Sequence, residues 1–531
     1  MHIIKNEYLH VDKNEYLHEN NQDLNKNGSM ATMAEKMAAS LEELRKLQEK
    51  DRCVVLQGTV EIGRTHLTRL LDNGWLQEVM KGWYIAARPG TEGDTTVWYP
   101  SFWYFIANYA AVRLGAQWGL TADQSLALYS GKTTVPVQVI IKSPKGHNNT
   151  QKLMYDTSLL VFQSEIPDQV YKEPEYGLNL YPLAEALVYA TPRYFQVEKI
   201  AARTCLAMIR DAADILKVLT KNGASLRAGR IAGAFRNIGN SDIADSNVST
   251  MRGEGYDGRE EDPVEDQPRT PIVYEVSPYV TRLRLMWENM RDKVVELFPE
   301  APGKIDDVEG YLRSVDEKYS EDAYHSLSIE GYRVSPELIE KVRVGNWKPE
   351  KEDKEHKNAL VARGYYQAFQ AVRGTISDIL KGKNAGEAVR ADHLVWYMQM
   401  WMPFVTVGIL QREDIVGYRT GQVYIRGSQH IPLNPKAVRD AMPVLFDLLK
   451  NEPHPAVRAV LGHFFFVYIH PYMDRNGRMG RFVLNAMLAS GGYNWTVVPV
   501  ERRKEYMKAL EKASVEGDIS EFAKVIASLV K

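Results

Sequence analysis

A histidine, a proline, an acid and three arginines fall within twelve residues of this chain, at His470-Pro-Tyr-Met-Asp-Arg-Asn-Gly-Arg-Met-Gly-Arg481. The apolar run before His470 predicts a helix that ends at Pro471, and a second helix is expected to begin near Asn476. The first N–H groups of a helix have no partner within it and carry partial positive charge, so this start can receive a phosphate group. Arg478 and Arg481 lie three apart, share one face within the first two turns, and can clamp a single anion. Asp474, at the mouth, suits Mg²⁺, which is usually held by one or two carboxylates together with substrate phosphates. His470 would then take the proton of an attacking hydroxyl. Phosphoryl-type transfer asks for positioning and charge stabilisation more than covalent help, and this set of residues supplies both.

The elements that must position these groups are helical. From Val273 onward, apolar spacing predicts helices at 279–298, 310–329, 336–342, 358–381, 393–401, 435–449, 455–469, 476–490, 502–515 and 520–529. Residues 416–425, with Gly417 and Gly421, interrupt the series and are expected as an extended hairpin. The first half reads differently. A helix at 33–49, an apolar run at 53–56, a helix at 64–71 closed by Gly74, and two strands around Lys81-Gly82 make a small α-then-β unit. Strands at 135–141 and 152–163 and helices at 183–190 and 200–219 follow, with His147 expected on the surface. Between Gly239 and Thr270 nine acidic and three basic residues accumulate, and a linker is expected there, with a short helix around Ile243 to Met251.

At 531 residues the chain is long enough for two or three domains. A formal net charge of -2 excludes a chain-wide attraction to nucleic acid or to a membrane surface. Two cysteines, Cys53 and Cys205, are too few for a disulfide framework or a thiolate metal site, and a cytoplasmic setting is expected. No run reaches the ~18 apolar residues of a spanning helix. The hexapeptide KNEYLH occurs twice before residue 19, so residues 1–29 are set aside as an appended leader or disordered tail.

The segment 470–481 resembles the signature of the Fic family, His-Pro-Phe-x-Asp/Glu-Gly-Asn-Gly-Arg-x-x-Arg, with Tyr472 in place of Phe and Arg475 in place of the first Gly. A glycine there gives the backbone free access to positive φ, so Arg475 is expected to strain the turn or to require a different one, while adding a cation. The resemblance implies a mainly α Fic domain with a β-hairpin flap, preceded by a winged-helix and an α/β (α+β) region. It implies a protein adenylyltransferase that moves AMP from ATP, with Mg²⁺, onto a hydroxyl of a target protein or of itself. On that pattern His470 is the base and Asp474 the metal ligand. Asn476 and the amides around Gly477 stabilise the α-phosphate. Arg475, Arg478, Gly480 and Arg481 complete the nucleotide site, the last arginine reaching the outer phosphates. The flap, Gly417, Tyr418 and Arg419 with Val423, Tyr424 and Ile425, would pair with an extended target segment.

Ser326-Leu-Ser-Ile-Glu330-Gly331 is similar to the family's inhibitory pattern, Ser/Thr-x-x-x-Glu-Gly/Asn. The likeness implies that Glu330 pairs with Arg481 and denies it to the nucleotide. Arg475 leaves open a Fic-fold kinase or another nucleotidyl transferase, and Glu330 leaves open removal of AMP. The first half resembles antitoxin-type regulators of the AbiEi kind. That likeness would give a DNA-binding regulator of toxin–antitoxin type, with Arg64, His66 and Arg69 on a recognition helix and Lys81 on a wing. The expected division is therefore a winged-helix-like domain at 30–95, an α/β domain at 96–238, an acidic linker at 239–272, a helical region with the inhibitory motif at 273–360, and the Fic core at 361–531. No membrane partner is expected, and a homodimer is left open.

Overall fold

A computed structural model describes residues 3–4, 32–50, 55–90, 97–222, 225–256, 259–269, 271–345 and 354–530. Apart from Ile3–Ile4, the expected leader at 1–29 lies outside the described residues. The chain divides into two compact units, one of residues 4–278 with 423–431, the other of 279–422 with 432–531.

The first unit opens with α1 (Met33–Lys50), β1 (Val55–Gln57), α2 (Arg64–Asp72), β2 (Leu76–Met80) and β3 (Trp83–Ala86). The strands form an antiparallel sheet in the order β1-β3-β2. Leu41, Leu44, Leu56, Leu67, Leu70 and Leu76 make its core. Gly74 does close α2. It sits at φ 74°, its N–H donates to the Leu71 carbonyl, and the Trp75 N–H donates to that of Leu70.

Beyond it, α3 (Trp98–Leu114) buries Trp98, Phe102, Trp103, Phe105 and Tyr109 in an aromatic core. That core also takes residues of a four-stranded sheet. Its strands are β4 (Gly119–Leu120), β5 (Gln138–Ser143), β6 (Thr150–Lys152) and β7 (Ser158–Gln163), in the order β4-β5-β7-β6 with β5 and β7 parallel. The single strand expected at 152–163 is thus two strands, broken where Tyr155 and Asp156 take φ of 50° and 58°. A helix between β4 and β5, α4 (Ala122–Tyr129), precedes the helical part α5 (Leu183–Tyr189), α6 (Pro192–Val197), α7 (Lys199–Ala207), α8 (Ala212–Asn222), α9 (Ser225–Asn237) and α10 (Ser241–Gly253).

The linker expected at 239–272 is instead part of this packing. Ile243, Ala244, Asn247 and Met251 of α10 are buried, and so is Val264. The acidic stretch lies across α9 because Gly229 and Gly233 have no side chains. A Cβ on either would stand 2.1 Å from the Arg259 carbonyl oxygen or 2.0 Å from that of Glu261. Its charges are used structurally, as Arg203 Nη2 pairs with Asp266 and Asn237 Nδ2 donates to Asp262 at 2.8 Å.

The second unit is a stack of helices. They are α11 (Pro278–Leu297), α12 (Val308–Ile329), α13 (Pro336–Arg343), α14 (Lys354–Leu380), α15 (Ala385–Thr406), α16 (Pro435–Asn451), α17 (Pro455–Ile469), α18 (Asn476–Ala489), α19 (Arg503–Glu516) and α20 (Ser520–Ala527). The boundary expected at 360/361 falls inside α14, so the region with the inhibitory motif and the core beyond it are one unit. Every residue of α17 after Pro455 except the half-exposed Arg458 is buried, and every residue of α18 is. A helix apolar on all sides belongs at the centre of such a stack. No helix among the described residues is long and apolar enough to cross a membrane.

The hairpin expected at 416–425 takes another form. A 3₁₀ turn at Arg412–Ile415 leads into bends, and strand geometry is confined to Tyr424–Ile425. The reason lies in Arg419, which is buried and bonds along its length. Its N–H donates to the Pro471 carbonyl at 3.0 Å, Nε to that of His470 at 2.8 Å, Nη1 to that of Gly421 at 3.0 Å, and Nη2 to that of Leu433. Residues 423–431 are grouped with the first unit, and its aromatic core includes Tyr424 and Ile431.

Candidate active site

The turn between α17 and α18 holds most of the chemistry-bearing residues. His470 ends α17 in the left-handed region, at φ 56° and ψ 61°. Its Nδ1 lies 2.8 Å from the Val467 carbonyl oxygen. A carbonyl can only accept, so Nδ1 carries the hydrogen and the neutral ring keeps its lone pair on Nε2. Arg419 holds the carbonyls of His470 and Pro471, which fixes the ring's point of attachment. Tyr472 then stacks on Tyr397, with ring centres 3.8 Å apart and planes 5° from parallel.

Arg475 does occupy the glycine-like conformation, at φ 70° and ψ 10°. A non-glycine residue pays a small penalty there and needs surroundings that hold it. Those surroundings are on α15. The guanidinium lies 3.4 Å from the Trp401 ring centre and 5.3 Å from that of Phe404, and Nη1 donates to the Met400 carbonyl at 3.0 Å. Burial, with Arg478 nearby, lowers its pKa to about 9. Of the two expectations, a strained turn or a different one, the first describes the structure. The turn keeps its left-handed residue, and the Arg475 side chain is committed to α15.

Two further expectations change in kind. Asn476 is expected on the phosphate, yet its side chain closes the turn on itself, Oδ1 accepting from the Tyr472 N–H at 3.0 Å and Nδ2 donating to the Tyr472 carbonyl at 2.9 Å. Gly480 faces α17, where a Cβ would come within 2.8 Å of Val467 Cγ2 and 3.2 Å of the His463 ring. Close packing of the two helices accounts for that glycine.

Arg478 and Arg481 differ sharply. Arg481 donates from Nε to Ser326 Oγ at 2.9 Å, and from Nη2 to the Ser326 carbonyl and to Glu330 Oε1, each at 3.0 Å. Arg478 is equally buried, but its Nε and Nη1 have no hydrogen-bond partner among the described residues. Its nearest carboxylate is Asp474, at 4.0 Å, and its guanidinium carbon lies 5.2 Å from the centre of the Tyr332 ring. A buried cation with unused donors at the start of a helix is a place for an anion.

Glu330 reaches this place from α12. The helix ends in a glycine cap, with the Gly331 N–H donating to the Ser328 carbonyl and the Tyr332 N–H to that of Leu327. Gly331 takes φ 84°, which the cap requires. Arg503 Nε donates to the Ile329 carbonyl at 2.7 Å and pins the same helix end. The Glu330 carboxylate then lies over the first turn of α18, where a Cβ on Gly477 would be only 2.4 Å from Oε1. Burial works to raise the Glu330 carboxyl, but the surrounding positive charge, Arg481 and Arg478 included, outweighs it and holds the group well below the usual carboxylate range.

Asp474 is the most open of these groups, with 30 % of its side chain exposed. No cluster of three metal-ligating side chains occurs among the described residues. A lone carboxylate fits Mg²⁺, which takes most of its ligands from phosphate and water.

The flap residues part company. Tyr418 Oη lies 3.0 Å from His393 Nε2, and burial pushes the phenol up to about 12 and the imidazole down to about 4. Arg419 and Val423 are buried, and Gly417 alone of the first arm is exposed. In the first unit, two of the cations expected on a recognition helix are engaged with α1. Arg69 Nη1 donates to the Lys36 carbonyl and to Ser40 Oγ, and His66 Nδ1 lies 3.0 Å from the same hydroxyl. Arg64 and Lys81 remain exposed.

Sequence reasoning passed over His463, Tyr506, Arg503 and Trp401. His463 Nε2 lies 2.8 Å from Tyr506 Oη beneath α18, and burial pushes its pKa down to about 3. Each of these residues acts across a helix–helix contact, and no local spacing announces such a contact.

Residues 390–488 match the family model described as Fic/DOC. Among curated proteins, the chain is 28% identical over 251 residues to the protein adenylyltransferase Fic of Nematostella vectensis, covering 44% of this chain and 55% of that protein. It is 29% identical over 225 residues to the protein of the same name from Drosophila willistoni, covering 40% and 41%. The match to that of Drosophila mojavensis is 37% over 114 residues, covering 21% and 22%. The chain thus spans about half or less of the length of these relatives. Among solved structures, Fic-1 (residues 134–508) of C. elegans aligns at 17% identity and TM-score 0.35, covering 66% of this chain and 85% of that one.

Proposed function

The chain carries a Fic domain over residues 390–488, and we propose that it transfers AMP from ATP to a hydroxyl of a target protein or of itself. The observation that carries this reading is Arg478, buried at the start of α18 with Nε and Nη1 unused and Asp474 beside it. The first amides of α18 and Arg478 would hold the phosphates, with their charge stabilised by donors already in place. His470 Nε2 would receive the proton as the hydroxyl oxygen bonds to the α-phosphorus and the bond to the bridging oxygen breaks, releasing pyrophosphate. Asp474 would hold Mg²⁺, which when bound neutralises charge on the phosphates. A cytoplasmic setting goes with this reading, since ATP is abundant there and two cysteines are too few for a disulfide framework.

Glu330 is the brake in this proposal. A carboxylate over Gly477 and on Arg481 stands where the outer phosphates need a cation, and a displaced triphosphate cannot present its α-phosphorus in line. The test is Glu330→Gly with ATP and Mg²⁺, read by intact mass. Self-labelling is expected to rise on the order of tenfold to a hundredfold, the worth of a charge-assisted hydrogen bond released to the nucleotide. The mass added also separates AMP from phosphate. A variant no more active than the parent, with His470→Ala silencing both, would remove the brake from the proposal.

A further inference from the structure

We propose that Tyr332 is a second part of this brake, one that covers Arg478 while Glu330 covers Arg481. The inference rests on the reading of Glu330 as inhibitory. Glu330, Gly331 and Tyr332 belong to one glycine cap, and a backbone N–H from each of the three ties residues 330–332 to the last turn of α12. They are therefore carried by the same helix end. From it the Glu330 carboxylate meets Arg481 at 3.0 Å, and the Tyr332 ring lies 5.2 Å from the Arg478 guanidinium carbon. Both arginines of the nest face one short piece of chain.

The two covers differ in strength, for a physical reason. A carboxylate takes donors from a guanidinium, so Glu330 and a phosphate compete for the same N–H groups of Arg481. An aromatic face attracts the charge through its quadrupole and leaves hydrogen bonds unmade. Arg478 fits that description, because Nε and Nη1 stay without a partner under the ring. Tyr332 thus holds the cation in reserve and is displaced by an anion more readily than Glu330. Withdrawal of the α12 end would uncover both arginines together, which makes release of the brake a single event.

The experiment compares Tyr332→Ala, Tyr332→Phe and Glu330→Gly in the full chain, by equilibrium titration with Mg²⁺ and ATP and by self-labelling. Tyr332→Ala is expected to bind ATP about threefold to tenfold more tightly than the parent, the range of a partly buried cation–π contact. Its labelling should stay low, because Glu330 still holds Arg481. Tyr332→Phe keeps the ring and should follow the parent. If Tyr332→Ala does not fold, Tyr332→Leu makes the same comparison, with bulk but no π face. ATP binding that is unchanged or weaker in the folded variant overturns the inference. Labelling unchanged in Glu330→Gly overturns the brake reading itself, whatever Tyr332 does to affinity.

Discussion

Two short helices in this chain carry basic residues at helical spacing, and they use them in opposite ways. On α2, Arg69 donates to the Lys36 carbonyl and to Ser40 Oγ, and His66 sits on the same hydroxyl. Those groups are spent joining α2 to α1. On α18, Arg478 is buried with two nitrogens unused, and Arg481 is satisfied by Ser326 and by a carboxylate from the end of α12. Positive charge is common on helices and usually marks only a solvated or structural face. Buried donors left unsatisfied are rare, because each costs about 1–3 kcal/mol of desolvation. The contrast is between cations spent on joining two helices and a buried cation at a helix start that keeps two nitrogens for an anion.

The comparison can be pressed hardest at His470, which should be decisive in chemistry. His470→Ala is expected to lower AMP transfer on the order of a hundredfold to ten-thousandfold, measured by labelling in the Glu330→Gly background. Retention of most of the activity would sink the assignment of the base. Next comes Arg478→Ala. Loss of charge-assisted bonds to phosphate should weaken ATP binding about tenfold to a hundredfold, while the melting temperature holds or rises, since a buried cation with two unsatisfied nitrogens is removed. A large fall in stability with affinity intact would make Arg478 a packing residue and dissolve the contrast. The smallest effect belongs to Arg69→Ala, which should cost about 1–2 kcal/mol of stability in denaturant unfolding and leave transfer unchanged. A stable variant would show that the Lys36 and Ser40 bonds carry no weight.

Much of the second unit was legible because its signals are local. The helices at 279–298, 435–449, 455–469 and 476–490 follow from apolar spacing, and the observed α11, α16, α17 and α18 begin and end within a few residues of those limits. The Gly74 cap was equally readable, since only glycine enters that conformation freely. Where the reading went astray, the deciding partner was remote. The acidic stretch after α10 looked like a linker because its charges suit water, and its packing depends on two glycines of α9 that no composition count connects to it. Residues 416–425, with Gly417 and Gly421, read as a hairpin, yet Arg419 is drawn inward by carbonyls on His470, Pro471 and Leu433.

By itself the sequence determined which residue types meet at the turn between α17 and α18, and that the turn opens a helix able to receive an anion. Chain neighbours need no fold to be brought together, so twelve consecutive residues could announce that much. The tertiary structure decided the rest. It committed Arg475 to Trp401, left Arg478 with unused donors, set Glu330 from 151 residues away onto Arg481, and turned Arg419 into a staple behind the histidine. Those assignments depend on which side chains become buried against one another. Burial is a property of packed helices and cannot be read from their spacing.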